Sequence, residues 1–119
     1  MPTLLDSIAH IGPQHAGQVV VSGSHGGVSA AGFVLDLDRR PRAVFYNDAG
    51  VGKDGAGIVA LGLLERIGVP CATYSHDSAR IGDARDGYDC GVLTHLNDRA
   101  RAAGLAVGMT VRAAVALFG

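Results

Sequence analysis

The stretch Arg42-Ala43-Val44-Phe45-Tyr46-Asn47-Asp48-Ala49-Gly50-Val51-Gly52-Lys53-Asp54, continued to Pro70, decides the fold. Arg42–Tyr46 is apolar after its first residue and predicts a buried strand. Asn47–Lys53 is polar and rich in glycine, which predicts a loop. Asp54 stands where it can cap a helix running to Ile67. In that helix Ile58, Leu61 and Leu64 form one stripe at helical spacing, widened by Val59 and Leu63. Gly57 and Gly62 lower its helix propensity, which implies close backbone packing against a sheet. Gly68 followed by Pro70 stops it.

The same strand, loop and helix order recurs on both sides. Upstream, Gln18-Val19-Val20-Val21-Ser22 predicts a strand, Gly23-Ser24-His25-Gly26-Gly27 a loop, and 28–37 a helix, with 33–37 as a competing strand. Downstream, 69–74 predicts a strand, followed by a long polar loop from Ser75 to about Tyr88. Asp89 can cap a helix carrying Val92, Leu93, Leu96, Ala100 and Ala103 at helical spacing, and a strand over 92–96 is the alternative. Thr110 caps a short apolar helix from Val111 to Phe118, and Thr3–Ile11 is a further helix candidate. Alternating strands and helices imply a parallel sheet covered by helices. The expected architecture is therefore a single α/β domain over residues 1–119. It is a small three-layer sandwich, with a mainly parallel sheet of three or four strands and helices on its faces. The three loops then meet at the carboxyl edge, where open α/β sheets bind ligands.

Composition narrows the function classes. The chain has 119 residues and a formal net charge of −1, so no general field draws it to nucleic acid or an anionic membrane. It has no apolar run long enough to span a bilayer. Its first residues lack the basic and apolar regions of a signal peptide. With Cys71 and Cys90 in no metal or redox spacing, the expectation is a cytoplasmic protein with reduced thiols. Its helices are apolar nearly all round and its sheet is small, which points to a homo-oligomer, with the last helix as the contact.

Gly50-Val51-Gly52-Lys53-Asp54-Gly55 matches G-x-G-x-x-G between a strand and a helix. Residues 42–77, ending at the acidic Asp77, resemble the dinucleotide-binding fingerprint of Rossmann folds. The departures are concrete. Asp77 lies further along than the usual acid, Asp48 and Asp54 would repel a pyrophosphate, and the chain is too short for the full cofactor crevice. A phosphate loop of the G-x-x-x-x-G-K-[ST] kind is excluded, since Asn47 stands for its first Gly and Asp54 for its hydroxyl residue.

The candidate site draws on all three loops. His25 and His76 are the proton-transfer candidates, Asp48 or Asp77 the base or the group orienting a His, and Ser24 or Ser78 the nucleophile or substrate donor. Asn47, the Gly50 and Gly52 amides, Lys53 and Arg80 are the residues expected to hold an anionic group. No HxH or HExxH spacing supports a metal, and the sequence specifies no cofactor. The expected function is an enzyme binding a small anionic metabolite, with acid–base or hydrolytic chemistry. The alternative is a non-catalytic nucleotide- or metabolite-binding module using the turn at 50–55.

Overall fold

A computed structural model describes residues 2–118. Its sheet has five strands: β1 (Thr3–Leu5), β2 (Val19–His25), β3 (Ala43–Asn47), β4 (Cys71–Tyr74) and β5 (Leu93–Leu96). They lie in the order β1-β2-β3-β4-β5, with β1 to β4 mutually parallel and β5 antiparallel to β4. The α/β reading and the mainly parallel sheet hold, with one strand more than the upper expectation. All five residues of β3, the central strand, are buried, as a strand covered on both faces requires.

The helices are α1 (Val28–Leu35), α2 (Ala60–Glu65), α3 (Ala84–Cys90), α4 (Asp98–Ala102) and α5 (Val111–Ala116). Successive residues of each strand feed opposite layers. Val20, Val44, Tyr46 and Cys71 pack with Ala30, Ala31 and Val34 of α1 and Ala60 and Leu64 of α2. Val21, Phe45, Ala72 and Tyr74 pack with Tyr88 of α3 and Val111 and Ala114 of α5. Right-handed crossovers between neighbouring parallel strands put α1 and α2 on one face. The antiparallel β5 ends that run, so the chain after β4 passes α3 to the other face. The connections leaving the carboxyl ends of β3 and β4 therefore diverge to opposite faces.

Several expectations are corrected. Thr3–Leu5 is a strand, with a short 3-10 turn at Ile8–His10 in place of the expected helix. β2 runs on through Gly23, Ser24 and His25, three residues expected in a loop. The long loop is cut short by α3, whose cap is Asp83, bonding the Asp86 N–H. The strand alternative forms at Leu93–Leu96, and Asp89 instead pairs with Arg85 and Arg112. The regular part of α2 begins only at Ala60. Asp54, at φ 57°, lies in a 3-10 turn and caps nothing.

The two glycines of this segment part company. A Cβ on Gly57 would collide with the carbonyl oxygen of Asp48, whereas nothing lies within 4 Å of one on Gly62. Gly62→Ala is expected to raise stability by about 0.5–1 kcal/mol through helix propensity. Gly57→Ala should lower it by about 1–3 kcal/mol through overpacking. Chemical denaturation of the two variants checks the opposite signs.

No helix among the described residues is long and apolar enough to cross a membrane.

Candidate functional site

Asp48 follows β3 directly and is only 4% exposed. Its Oδ1 accepts the Gly50 N–H at 2.8 Å and the His76 N–H at 3.1 Å, and lies 3.2 Å from His76 Nδ1. Its Oδ2 accepts the Thr94 hydroxyl at 2.9 Å. Burial pushes this carboxyl up. The Gly50 N–H, the Thr94 hydroxyl, and the N–H and ring of His76 outweigh burial, and its pKa lies below the ordinary carboxylate value. Asp48 is therefore an ionised, nearly buried carboxylate at neutral pH.

His76 follows β4. Its side chain is 49% exposed, with Nδ1 turned to Asp48 and Nε2 3.3 Å from the exposed carboxylate of Asp77. The ring lies over Gly50, where a Cβ would come within 3.4 Å of Cε1. Asp48 and His76 thus straddle the gap between β3 and β4, where the onward connections diverge to opposite faces. In open α/β sheets this switch point is where ligands bind.

The glycine-rich loop builds the carboxylate's seat. Ala49, Gly50, Val51 and Gly52 have φ of 52°, 73°, 70° and 74°. The left-handed region is costly for alanine and more so for a β-branched valine. Internal bonds hold the curl. The Ala49 N–H donates to Asn47 Oδ1 at 2.8 Å, the Gly50 N–H to Asp48 Oδ1, and the Val51 N–H to the Asp48 carbonyl at 2.7 Å. Curled backbone of this kind turns successive N–H groups into an anion-binding concavity. The anion bound by the Gly50 amide is the protein's own Asp48. The first glycine of G-x-G-x-x-G thus serves the protein's own carboxylate.

The remaining sequence candidates divide. Asn47 is fully buried; its Oδ1 holds Ala49 and its Nδ2 donates to the Ala79 carbonyl at 3.1 Å, tying the β3 and β4 loops together. Ser78 Oγ donates to the Ser75 carbonyl and accepts the Val92 N–H. Ser24 Oγ accepts the Ile8 N–H at 3.0 Å. These three side chains are engaged in anchoring backbone. His25 is exposed at the end of β2, paired in register with Asn47, and its ring packs beside Gly27. Lys53 and Arg80 are exposed, with no ion pair among the described residues. Gly52 is exposed at the outer turn of the loop.

Thr94 and Thr73 were not among the candidates read from the sequence. The Thr94 hydroxyl lies 3.1 Å from both Thr73 Oγ1 and His95 Nδ1. The signal was the alternation of Leu93-Thr94-His95-Leu96. Read as a strand ending a sheet, it sets these polar groups beside the β4 loop. Two cavities among the described residues lie elsewhere. One of about 250 Å³ opens at the amino ends of β2 and β3 around Arg42 and Phe118. The other, of about 240 Å³, lies between Leu61 of α2 and Arg101 of α4. Neither cavity is lined by Asp48 or His76.

No family model matches the chain, and neither curated proteins nor solved structures contain a significant match to it.

Proposed function

We propose that this chain is an enzyme acting on a small anionic metabolite by acid–base chemistry, hydrolytic in kind, at the carboxyl edge between β3 and β4. The observation that carries this reading is the pairing, at the switch point of the sheet, of an ionised buried carboxylate with a half-exposed histidine. Asp48 accepts the Nδ1 proton of His76, which leaves the Nε2 lone pair on the solvent side to take a proton. The imidazolium that forms is stabilised by Asp48 on one nitrogen and Asp77 on the other. With Ser24 and Ser78 engaged by backbone, the nucleophile in this reading is a water activated by His76. Lys53 and Arg80, exposed on the segments that follow β3 and β4, supply positive charge for the anion in this reading. His25 borders the same edge from β2.

The nucleotide-binding alternative has less support. The Gly50 amide serves Asp48, and α2 begins ten residues after Gly50, so a phosphate at 50–55 meets no helix terminus.

The test is a panel of small phosphate and carboxylate esters assayed with wild type, His76→Asn and Arg80→Gln. Wild type should turn over at least one member. His76→Asn should lose about 10²–10⁴-fold in kcat, and Arg80→Gln should mainly raise KM. Full turnover in His76→Asn would refute the assignment. Ligand-induced stabilisation without turnover of any panel member would favour the binding module.

A further inference from the structure

The hydroxyl network behind Asp48 carries an inference about a second histidine, and it deepens the proposed acid–base reading on which it rests. Thr94 has one hydroxyl proton and two acceptor sites. Asp48 Oδ2 at 2.9 Å competes for that proton with Thr73 Oγ1 and His95 Nδ1, each at 3.1 Å, and with the Thr73 carbonyl at 3.4 Å. The ionised carboxylate is nearer and forms the stronger, charge-assisted bond, so Thr94 donates to Asp48. In the 3.1 Å contact between the two threonine hydroxyls, Thr73 must then be the donor. His95 Nδ1 lies 3.1 Å from Thr94 Oγ1 and 3.4 Å from Thr73 Oγ1. Both oxygens have already spent their protons, so the proton in these contacts belongs to the ring nitrogen. Thr94 ends with one bond donated and two accepted, its full capacity.

We infer that Asp48, acting through Thr94, fixes neutral His95 as its Nδ1–H tautomer and makes it a second proton-transfer group of the site. His76 is held in the same tautomer by direct contact with the same carboxylate. Two imidazoles thus share one negative charge, each with Nε2 left to exchange protons. β5 runs antiparallel to β4 and so starts at the carboxyl edge, with His95 opposite Thr73, three residues before His76 in the chain. In hydrolysis, His76 Nε2 takes a proton from the attacking water while protonated His95 gives its Nε2 proton to the departing oxygen. Turnover leaves His76 protonated and His95 neutral, and exchange with solvent resets both.

Long-range ¹H–¹⁵N NMR of the imidazoles above their titration range tests this without any substrate. Wild type should show His95 with a protonated Nδ1, the minority form of free histidine. Thr94→Val should return it to the Nε2–H form, and Thr94→Ser, which keeps the hydroxyl, should retain the wild-type form. A wild-type His95 protonated at Nε2, or a Thr94→Val spectrum unchanged from wild type, would overturn the inference. Neither outcome bears on His76. On a substrate that wild type hydrolyses, His95→Gln should lose on the order of 10²-fold in kcat. Full activity in His95→Gln beside an inactive His76→Asn would overturn the role of His95 and leave the His76 reading standing. Full activity in both would remove that reading as well.

Discussion

Asp48→Asn is expected to abolish most turnover, by about 10³–10⁴-fold, and Asp48→Ala to destabilise the fold as well. The carboxylate accepts four hydrogen bonds from three segments: the glycine-rich loop, the β4 loop and β5. An amide in its place presents a donor toward Thr94 and cannot stabilise an imidazolium, so His76 loses its counter-charge. Truncation to alanine leaves the Gly50 and His76 N–H groups and the Thr94 hydroxyl without their acceptor. The cost of that loss is about 3 kcal/mol. Acid should reveal the same interaction. The folded-state pKa of Asp48 is depressed, so its contribution to stability is present above the unfolded value near pH 4 and is lost as pH falls through the lower folded value. Denaturant unfolding at pH 7 and pH 3 should therefore show a smaller acid-induced loss in Asp48→Asn than in wild type. An equal loss in the two proteins would contradict the ionised, hydrogen-bonded state of Asp48.

The second large effect is expected at Asn97, well away from the proposed chemistry. This side chain is 5% exposed. Its Oδ1 accepts the Cys71 N–H at 3.0 Å and the Ala100 N–H at 2.9 Å. Its Nδ2 donates to the carbonyls of Val69 at 2.9 Å and Leu61 at 3.3 Å. One amide therefore caps α4 and ties it to the start of β4 and to α2. Asn97→Ala leaves four backbone groups to find other partners, two of them on buried residues at the head of β4. The expected cost is about 3 kcal/mol, lowering Tm by roughly 10 °C or more. Thermal unfolding monitored by circular dichroism reads this directly. Asn97→Asp should restore the two accepting contacts but not the two donated ones. A Tm within a few degrees of wild type for Asn97→Ala would show that the four bonds add little.

The central strands were legible because each is built on a short, mainly apolar run. Val20–Val21, Ala43–Tyr46 and Cys71–Tyr74 are buried, as parallel strands covered on both faces require. Asp48 and His76 were legible as site candidates because each directly follows such a run. The edge strands were not. β1 has three residues, too few to show a period. In β5, Leu93 and Leu96 suit a helical stripe as well as a strand, and pairing to β4 decides between them. Asp54 looked like a cap, since a helical stripe begins just after it. It lies instead in the left-handed region, within a short 3-10 turn. Asn97 gave no signal at all, since its four partners are backbone groups from distant segments.

The amino-acid sequence by itself determined the class of fold, the order of its central elements and the edge of the sheet where polar groups gather. Those properties depend on local hydrophobic periodicity and turn chemistry, which act over a few residues. Only the tertiary structure decided which of the gathered groups face one another. It joined Asp48 to His76 across 28 residues and to Thr94 across 46. It engaged Ser24, Ser78 and Asn47 in anchoring backbone, and it set the chain's own carboxylate on the Gly50 amide of the glycine-rich turn. A buried charge must be satisfied by whichever donors packing brings within reach, and those donors come from segments whose proximity is set by strand pairing.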